Sequence, residues 1–590
     1  MTIKNYFHII KNKIILILLF AIFLLSLIVR IIGLNWDEHQ HLHPDERFLS
    51  MVSNDISLPS SIIEYFKTNQ SPLNPFNYKQ YQFFVYGTFP LFLTKFIAEH
   101  LNLGGYDQLY VVGRLLSSIF DSLNVIILFF LFKKISKSKK TLHLLLPSFL
   151  YVFTVLAIQL SHFFTVDTFL NTFILLTFTF FVYFCDKEKI VYLILAAISF
   201  GLAMSSKISA VYFLPIIGIF FLYILFNSKK IFKTVLNIIL FLVLVFTTFR
   251  IFQPYAFTGL FNVNPLLIEN YKSLSKMGSP DTVFPPSVQW LSKTRILFPI
   301  QNIILFGLGL PISISIILLS FKFLFKNSIS LKKILIKSNF YTIVVIFWTL
   351  FLVIYQGLQF AHPMRYFFNI YPFLLIIFSL LILNLKISFK LISFILIGHL
   401  FWGLSFLTIY THTNSRIEAS YWMYKNINNG SSIKNEYWDD PLPLPLSNKN
   451  DFIYKNEQLS FYDQDTEEKW KKLNIKINES NYLIMSSNRL WASIPKVPLK
   501  YPITFQYYND IFNEKLNFSL AKKIVSYPGF PLPIEKCFYF GPTDYPGSKF
   551  NNWFEIDDTC SYPGVYFRDD ISDESFTVYD HPQVLIFKKN

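Results

Sequence analysis

The sequence predicts a polytopic α-helical membrane protein with about eleven transmembrane helices, followed by an extracytoplasmic domain of mixed α/β structure. Three observations carry this prediction. First, long Leu/Ile/Phe runs recur through the first 410 of 590 residues, in a chain that is 53% hydrophobic with a mean hydropathy of +0.41. Runs of ~20 apolar residues are what a helix needs to cross a bilayer. Second, lysines gather in the short connectors between runs: Lys4, Lys11 and Lys13; Lys133 to Lys140; Lys187 and Lys189; Lys229, Lys230 and Lys233; Lys322 to Lys337; Lys386 and Lys390. That is the positive-inside pattern, so the net charge of +16 describes topology and not a nucleic-acid surface. Third, beyond residue 411 the apolar runs vanish and Asn, Asp, Lys, Tyr and Pro rise, over a length that suffices for one soluble domain.

The spans fall at 14–34, 111–132, 141–158, 167–185, 190–206, 208–226, 234–252, 301–321, 340–358, 365–385 and 390–410. The first run is long, lacks a small-residue cleavage site and leads into a charged motif, so it reads as a retained span and not a signal peptide. An inside N-terminus places every Lys-rich connector inside. The layout is then a membrane domain over 1–410, with outer loops at 35–110 and 253–300, and an outer domain over 411–590. Val85 to Ile97 is apolar but short and reads as an interfacial helix; as a span it would flip the topology and break the lysine pattern. In the tail, Ser420 to Ile427 reads as a short helix. Asn481 to Met485, Ile503 to Tyr508 and Phe576 to Val578 read as β-prone segments cut by Pro/Gly/Asp turns. Cys537 and Cys560 fall in a compartment that permits disulfides and can pair there; Cys185 lies at the inner end of a span.

The chemistry concentrates where the first span ends. Asn35 to Phe48 reads N-W-D-E-H-Q-H-L-H-P-D-E-R-F, with Asp37, Glu38, Asp45, Glu46 and Arg47 beside the bilayer. Ionised groups are expensive there, so the cluster points to a site at the membrane surface, against the plainer reading of a solvated loop. Arg114, at the outer end of the second span, can snorkel to headgroups or hold a lipid phosphate. Asp167 opens the fourth span, where it either caps the helix or faces Asp45 across an outward cavity. Lys207 sits outside against the charge bias, which requires an anionic partner, a phosphate or a carboxylate. Gln289 and Trp290 lie in a Pro- and aromatic-rich outer loop, as sugar contacts or an interface anchor. Arg365 and Tyr366 open the tenth span, and a guanidinium offers a bidentate fork to phosphate oxygens. The alternation of His39, His41 and His43 shares a face only in extended chain, and no metal is assigned to it. The sequence has no nucleotide-phosphate Gly loop, metal-spaced Cys set or nucleophile elbow, which argues against ATP-driven transport and cytosolic nucleotide-sugar chemistry.

Several of these motifs together resemble the phospholipid-carrier-dependent glycosyltransferases of the GT-C superfamily, in particular the dolichyl-phosphate-mannose–protein mannosyltransferases and the lipid A aminoarabinose transferases. The resembling residues are H-P-D-E-R-F (His43 to Phe48), H-F-F-T-V-D (His162 to Asp167), G-L-A-M-S-S-K (Gly201 to Lys207), F-P-P-S-V-Q-W (Phe284 to Trp290) and M-R-Y-F-F-N-I-Y-P (Met364 to Pro372). In the tail they are E-Y-W-D-D-P-L-P (from Glu436), S-S-N-R (from Ser486) and E-S-F-T-V-Y-D-H-P (from Glu574). The resemblance implies a polyprenyl-phosphate sugar donor, an acceptor hydroxyl on a protein, glycan or lipid, and action at the outer face of the cytoplasmic membrane. It implies Asp45 as base with Glu46 as its acidic neighbour, while Asp37-Glu38 is a second acidic pair that fits the same role. Asp167 would orient Asp45, the acceptor or a metal. Lys207, Arg365, Arg47 and Arg114 would serve the donor phosphate, although Arg47 follows Glu46 directly, one position away from the related D-E-x-R pattern. Tyr366, Gln289, Trp290 and His162 would contact substrate, and no cofactor is required. A flippase for lipid-linked sugars is the competing expectation, and a surface-assembly protein acting through its tail is a third.

Overall fold

The computed structural model describes residues 3–136, 138, 140–228, 230–280, 284–326, 340–446, 449 and 451–590. Among them, eight helices are long and apolar enough to cross a membrane, or nine when the bent pair Thr141–Val152 and Val155–Ser161 counts as one span. The chain is a multi-pass membrane protein, and its helices fall where the apolar runs place them. The expected eleven differ at two places. The 190–206 run is a helix of 17 residues, and the 301–321 run is two pieces, Leu297–Gly307 and Leu310–Phe325, parted near Gly309 at φ +90. Between the 190–206 and 208–226 runs, the Ile190–Ser206 helix ends and a 3₁₀ segment, Ile208–Phe213, takes over.

The bundle is layered by burial. Asp167–Lys187 is central, with 78% of its apolar window buried, whereas Ile231–Phe252 has only 17% buried and forms the rim. Exposed Ile17, Phe232 and Phe394 likewise present an apolar outer surface suited to lipid. Inside, Arg30 Nε donates to Asp121 Oδ2 at 2.6 Å, and neither side chain has any exposure. Its other nitrogens donate to the carbonyls of Tyr151 and Val152 at 3.2 Å, where the 54° bend interrupts the span. A break in a membrane helix frees backbone acceptors that lipid cannot satisfy, and here a guanidinium satisfies them.

The helix Thr88–His100 has 13 residues, too short to cross, as expected for the Val85 to Ile97 stretch. Pro44–Asp55 begins with Pro at its first position and Asp45 and Glu46 in its first turn, and Glu46 N–H donates to the His43 cap at 3.3 Å.

After Thr411 the chain builds two sheets. The first has order β2-β1-β3-β9-β4, using Ser432–Glu436 (β1), Lys455–Leu459 (β2), Tyr482–Met485 (β3), Phe518–Ile524 (β4) and Val584–Lys589 (β9). β1 pairs in parallel with β2 and β3, and β9 runs antiparallel to β3 and β4. β3 and the first four residues of β9 are wholly buried and apolar, while the edge strand β2 is polar. The second sheet has order β5-β8-β6-β7, from Gly529–Pro531 (β5), Cys537–Phe540 (β6), Phe554–Asp557 (β7) and Gly564–Phe567 (β8). Cys537 and Cys560 are disulfide-bonded at its flank. Of the β-prone segments, Asn481 to Met485 contributes β3. Ile503 to Tyr508 and Phe576 to Val578 instead fall in or at the end of the helices Pro502–Phe512 and Glu574–Thr577. Proline at the start of the first and the Asp573 cap of the second decide for helix over β-propensity.

Candidate active site

Four of the expected residues meet as two ion pairs at one end of the bundle. Arg365 Nη1 donates to Asp45 Oδ2 at 2.6 Å, across 320 residues of sequence. Lys207 Nζ donates to Asp167 Oδ1 at 2.7 Å, so the partner demanded for Lys207 is a carboxylate. Tyr366 joins the two, with Lys207 Nζ 4.9 Å and the Arg365 guanidinium 5.9 Å from its ring centre. Asp45, Arg365 and Lys207 keep 23%, 22% and 25% of their side chains accessible. Exposure of this kind leaves them able to exchange partners with a ligand.

Asp45 is held from its other side by Tyr86, whose hydroxyl donates to Oδ1 at 3.0 Å. Burial alone would push the Asp45 carboxyl up, but Arg365, His43 and the Tyr86 hydrogen bond hold it well below the usual carboxylate range. His43 is buried and pushed down to about 4, so its ring is neutral near pH 7, consistent with its Nδ1 accepting the Glu46 N–H. Gly87 brings the Tyr86 loop against the turn before Lys207; a Cβ there would stand 2.2 Å from the carbonyl oxygens of Ser205 and Ser206.

The structure sets the other acidic and basic expectations elsewhere. Arg114 is fully buried, not free for phosphate. It donates to Glu46 at 2.5 and 2.9 Å and to Asp37 at 3.0 and 3.1 Å, and lies between the rings of Trp36 and Tyr110. Glu46 and Asp37 have no exposed side chain, and Glu46 also accepts from Phe164 N–H at 2.7 Å. Burial pushes the Glu46 carboxyl up; Asp37 is desolvated too, but Arg114 holds it down. These three groups are thus bound to one another and tie the first loop to the Tyr106–Ser136 helix. His162 is buried as well, flat against Tyr410 at 3.7 Å, with both ring nitrogens on backbone carbonyls. Arg47 Nη2 donates to Asp440 of the tail at 2.7 Å and keeps 35% of its side chain accessible. Trp290 packs on His362 and Phe298, and Gln289 is buried beside it. The three alternating histidines part company: His39 meets Tyr110, His41 meets Asp107 and stacks on Tyr106, and His43 caps its helix. Among the described residues no group of three or more His, Cys, Asp or Glu is arranged to hold a metal ion.

Sequence reasoning missed the contribution of the last thirty residues. Asp573 accepts Met364 N–H at 2.7 Å, and its own N–H donates to Asn302 at 2.7 Å. Tyr579 packs its ring on His43 at 4.3 Å. The motif E-S-F-T-V-Y-D-H-P contained this signal, but nothing in the sequence says that the chain's end folds back onto its first loop.

Residues 92–253 match the sequence model of the dolichyl-phosphate-mannose-protein mannosyltransferase family, a stretch that holds Arg114, Asp167 and Lys207 but neither Asp45 nor Arg365. No curated protein matches the chain. Among solved structures, the chain is similar to the archaeal oligosaccharyltransferase AglB from Archaeoglobus fulgidus in complex with an inhibitory peptide and a dolichol-phosphate, at 12% identity and a TM-score of 0.43, over 80% of this chain and 72% of that one. The apo form of the Archaeoglobus fulgidus oligosaccharyltransferase gives 13% and 0.49, over 84% and 72%. ArnT from Cupriavidus metallidurans bound to undecaprenyl phosphate gives 11% and 0.41, over 82% and 94%. Over residues 92–253, within the membrane part of the chain, the sequence is thus similar to the dolichyl-phosphate-mannose-protein mannosyltransferases.

Proposed function

We propose that the chain is an inverting glycosyltransferase that moves a sugar from a polyprenyl-phosphate donor to an acceptor hydroxyl at the outer face of the cytoplasmic membrane. The observation that carries this reading is the Asp45–Arg365 pair standing with Lys207–Asp167 around Tyr366. A carboxylate and two cations, all accessible at one end of a lipid-facing bundle, suit a reaction between a hydroxyl and a lipid phosphate ester. In the working assignment, residues 1–410 are the catalytic domain, and 411–590 an extracytoplasmic domain.

Asp45 takes the proton of the acceptor hydroxyl as that oxygen attacks the anomeric carbon from the face opposite the phosphate. The bond from that carbon to the phosphate oxygen breaks, its electron pair leaves with the polyprenyl phosphate, and the configuration inverts. Arg365 and Lys207 offset the charge that grows on the departing phosphate. Asp167 holds Lys207 in place until then, and Tyr366 supports both cations. The resting pair makes Asp45 a weak base, because Arg365 holds it low. A donor phosphate competes for Arg365 and relaxes that hold, so Asp45 gains basicity when the donor has arrived. Asp37, Glu46 and Arg114 act as the buried brace that fixes the Asp45 helix. No step is assigned to a metal. A flippase shares the need for ionisable groups within spans, but Arg30 and Asp121 are fully committed to each other and to backbone carbonyls.

The test is transfer from a panel of synthetic polyprenyl-phosphate hexoses to acceptors in a membrane lysate. Wild type is expected to label an acceptor. Asp45→Asn is expected to lose ~10²–10⁴-fold in rate while still binding donor, as for removal of a positioned base. Equal transfer by both proteins would remove Asp45 as the base. Donor carried across liposomes without transfer would favour the flippase.

A further inference from the structure

The second sheet of the tail turns an apolar face outward. Its pairing register sets Phe530 of β5, Val565 of β8, Phe538 of β6 and Ile556 of β7 in one row across all four strands. Phe567, Phe540 and Phe554 form the next row on the same face. Phe554 stacks on Phe538 at 6.2 Å and lies 5.0 Å from Phe540. The alternate positions Cys537, Tyr539 and Tyr566 point the other way, into a small core with Tyr527. The two rows hold no polar side chain, yet Phe540, Phe554 and Ile556 are 42%, 45% and 51% exposed. A sheet with one face in water carries polar residues there, whereas a contiguous apolar patch marks a contact surface.

The position of this face says what covers it. Its β5 side rests on the last span, Phe389–Leu407: Phe530 meets Phe401 at 5.7 Å and Phe567 meets Trp402 at 5.9 Å. Phe401 lies well short of the end of that helix, about 9 Å along its axis at 1.5 Å per residue. The sheet therefore reaches below the top of the span. On the same helix, Phe394, Ile397 and Phe401 form an exposed apolar stripe at helical spacing, which is the side turned to lipid. Phe530 stands on that stripe, and the two rows continue the lipid-facing surface away from the helix. We propose that this face is a second membrane-contact surface, seated in the leaflet on the tail's side, with bilayer lipid as its occupant. Trp553, 74% exposed just before β7, suits an anchor at headgroup level. Hydrocarbon cannot satisfy an open strand edge, and β7 is the outer edge of this sheet. The face thus rests at the boundary of headgroups and acyl chains, ~5–10 Å deep, as amphipathic surface elements do. The contact ties the second sheet to the bilayer whatever reaction the bundle carries out.

The experiment uses the full chain in nanodiscs of phosphatidylcholine and phosphatidylglycerol. The photoreactive residue p-benzoyl-phenylalanine replaces Phe554 or Ile556 and, as a control, Lys455 on the polar edge strand β2. Each variant must melt with wild type before it is irradiated, and mass spectrometry then identifies what the probe has captured. Lipid adducts are expected at Phe554 and Ile556, with none above background at Lys455. Cross-links between two copies of the chain in place of lipid adducts would make the face an interface between copies and overturn the proposal. Probes that capture no lipid at either face position, or no more than at Lys455, overturn it as well. A second measurement leaves both rows intact. The emission of Trp553, taken as wild type minus Trp553→Phe, is compared in discs of plain and of dibrominated lipid. Quenching by the brominated lipid is expected, and equal emission in both kinds of disc overturns the proposal.

Discussion

At the scale of single residues, the proposed site turns on the pairing of Arg365 with Asp45. Its guanidinium is the strongest influence lowering the Asp45 carboxyl against burial. Replacing it with Gln removes that influence and leaves the desolvation, so the Asp45 carboxyl rises. In wild type, Asp45 stays ionised far below the usual carboxylate range, and the acid limb of the transfer rate does not report it near neutral pH. In Arg365→Gln the carboxylate is protonated at higher pH, so the acid limb shifts toward neutral, beneath a lower plateau. A pH–rate profile on residual activity checks this; a limb that stays put would mean that Arg365 does not set the base. The sequence disclosed these partners one by one, because each is a charge misplaced for a membrane end. It could not disclose who pairs with whom. Arg114 and Arg365 look alike in sequence, each an arginine at the mouth of a span. Only the fold shows that Arg114 is enclosed by Asp37, Glu46 and two aromatic rings while Arg365 faces a cleft.

At the scale of elements, spans were legible because their signal is local: length and apolarity alone set them. Breaks were less so. The bend between Val152 and Val155 follows from Pro147 and Thr154 only in hindsight, and its stabilising partner, Arg30, sits in another helix. That arginine has a clear predicted cost. Arg30→Met leaves Asp121 buried without its cation and the carbonyls of Tyr151 and Val152 without a donor. Breaking a buried pair on one side costs about 3–5 kcal/mol. The variant is therefore expected to unfold at distinctly lower temperature in detergent. Pairing it with Asp121→Leu is expected to recover part of the loss, since two apolar groups leave no lone charge. If the single variant melts with wild type, the pair does not hold the bend. In the tail, the segments around Ile503 and Phe576 were legible as ordered but not in kind: aromatic content raised strand propensity, and Pro502 and the Asp573 cap overrode it.

At the scale of the whole molecule, the bundle and the tail behave as one unit. A single apolar cluster runs from bundle residues such as Ile158 and Phe406 into Ile417, Ile484, Phe576 and Ile586 of the tail. Around it runs a chain of charges: Arg47 to Asp440, Asp440 and Asp439 to Arg416, Asp439 to Arg489, and Arg489 to Glu574. Of these pairs Arg47–Asp440 joins the two halves and the others lie within the tail, so parting the halves would expose the apolar cluster and break the Arg47 pair. The change in composition at 411 marks where lipid stops being the solvent. It does not mark a place where contacts cease, and composition has no means of showing the difference. Interfaces of this kind suppress independent domain motion. The expected outcome is one cooperative thermal transition. Cys185, the free cysteine in the bundle, reports one half through thiol accessibility, and limited proteolysis of the second sheet reports the other. Coincident midpoints support a single unit, and Arg489→Met is expected to lower both together. A tail that is cleaved well below the temperature at which Cys185 becomes reactive would show two separable domains.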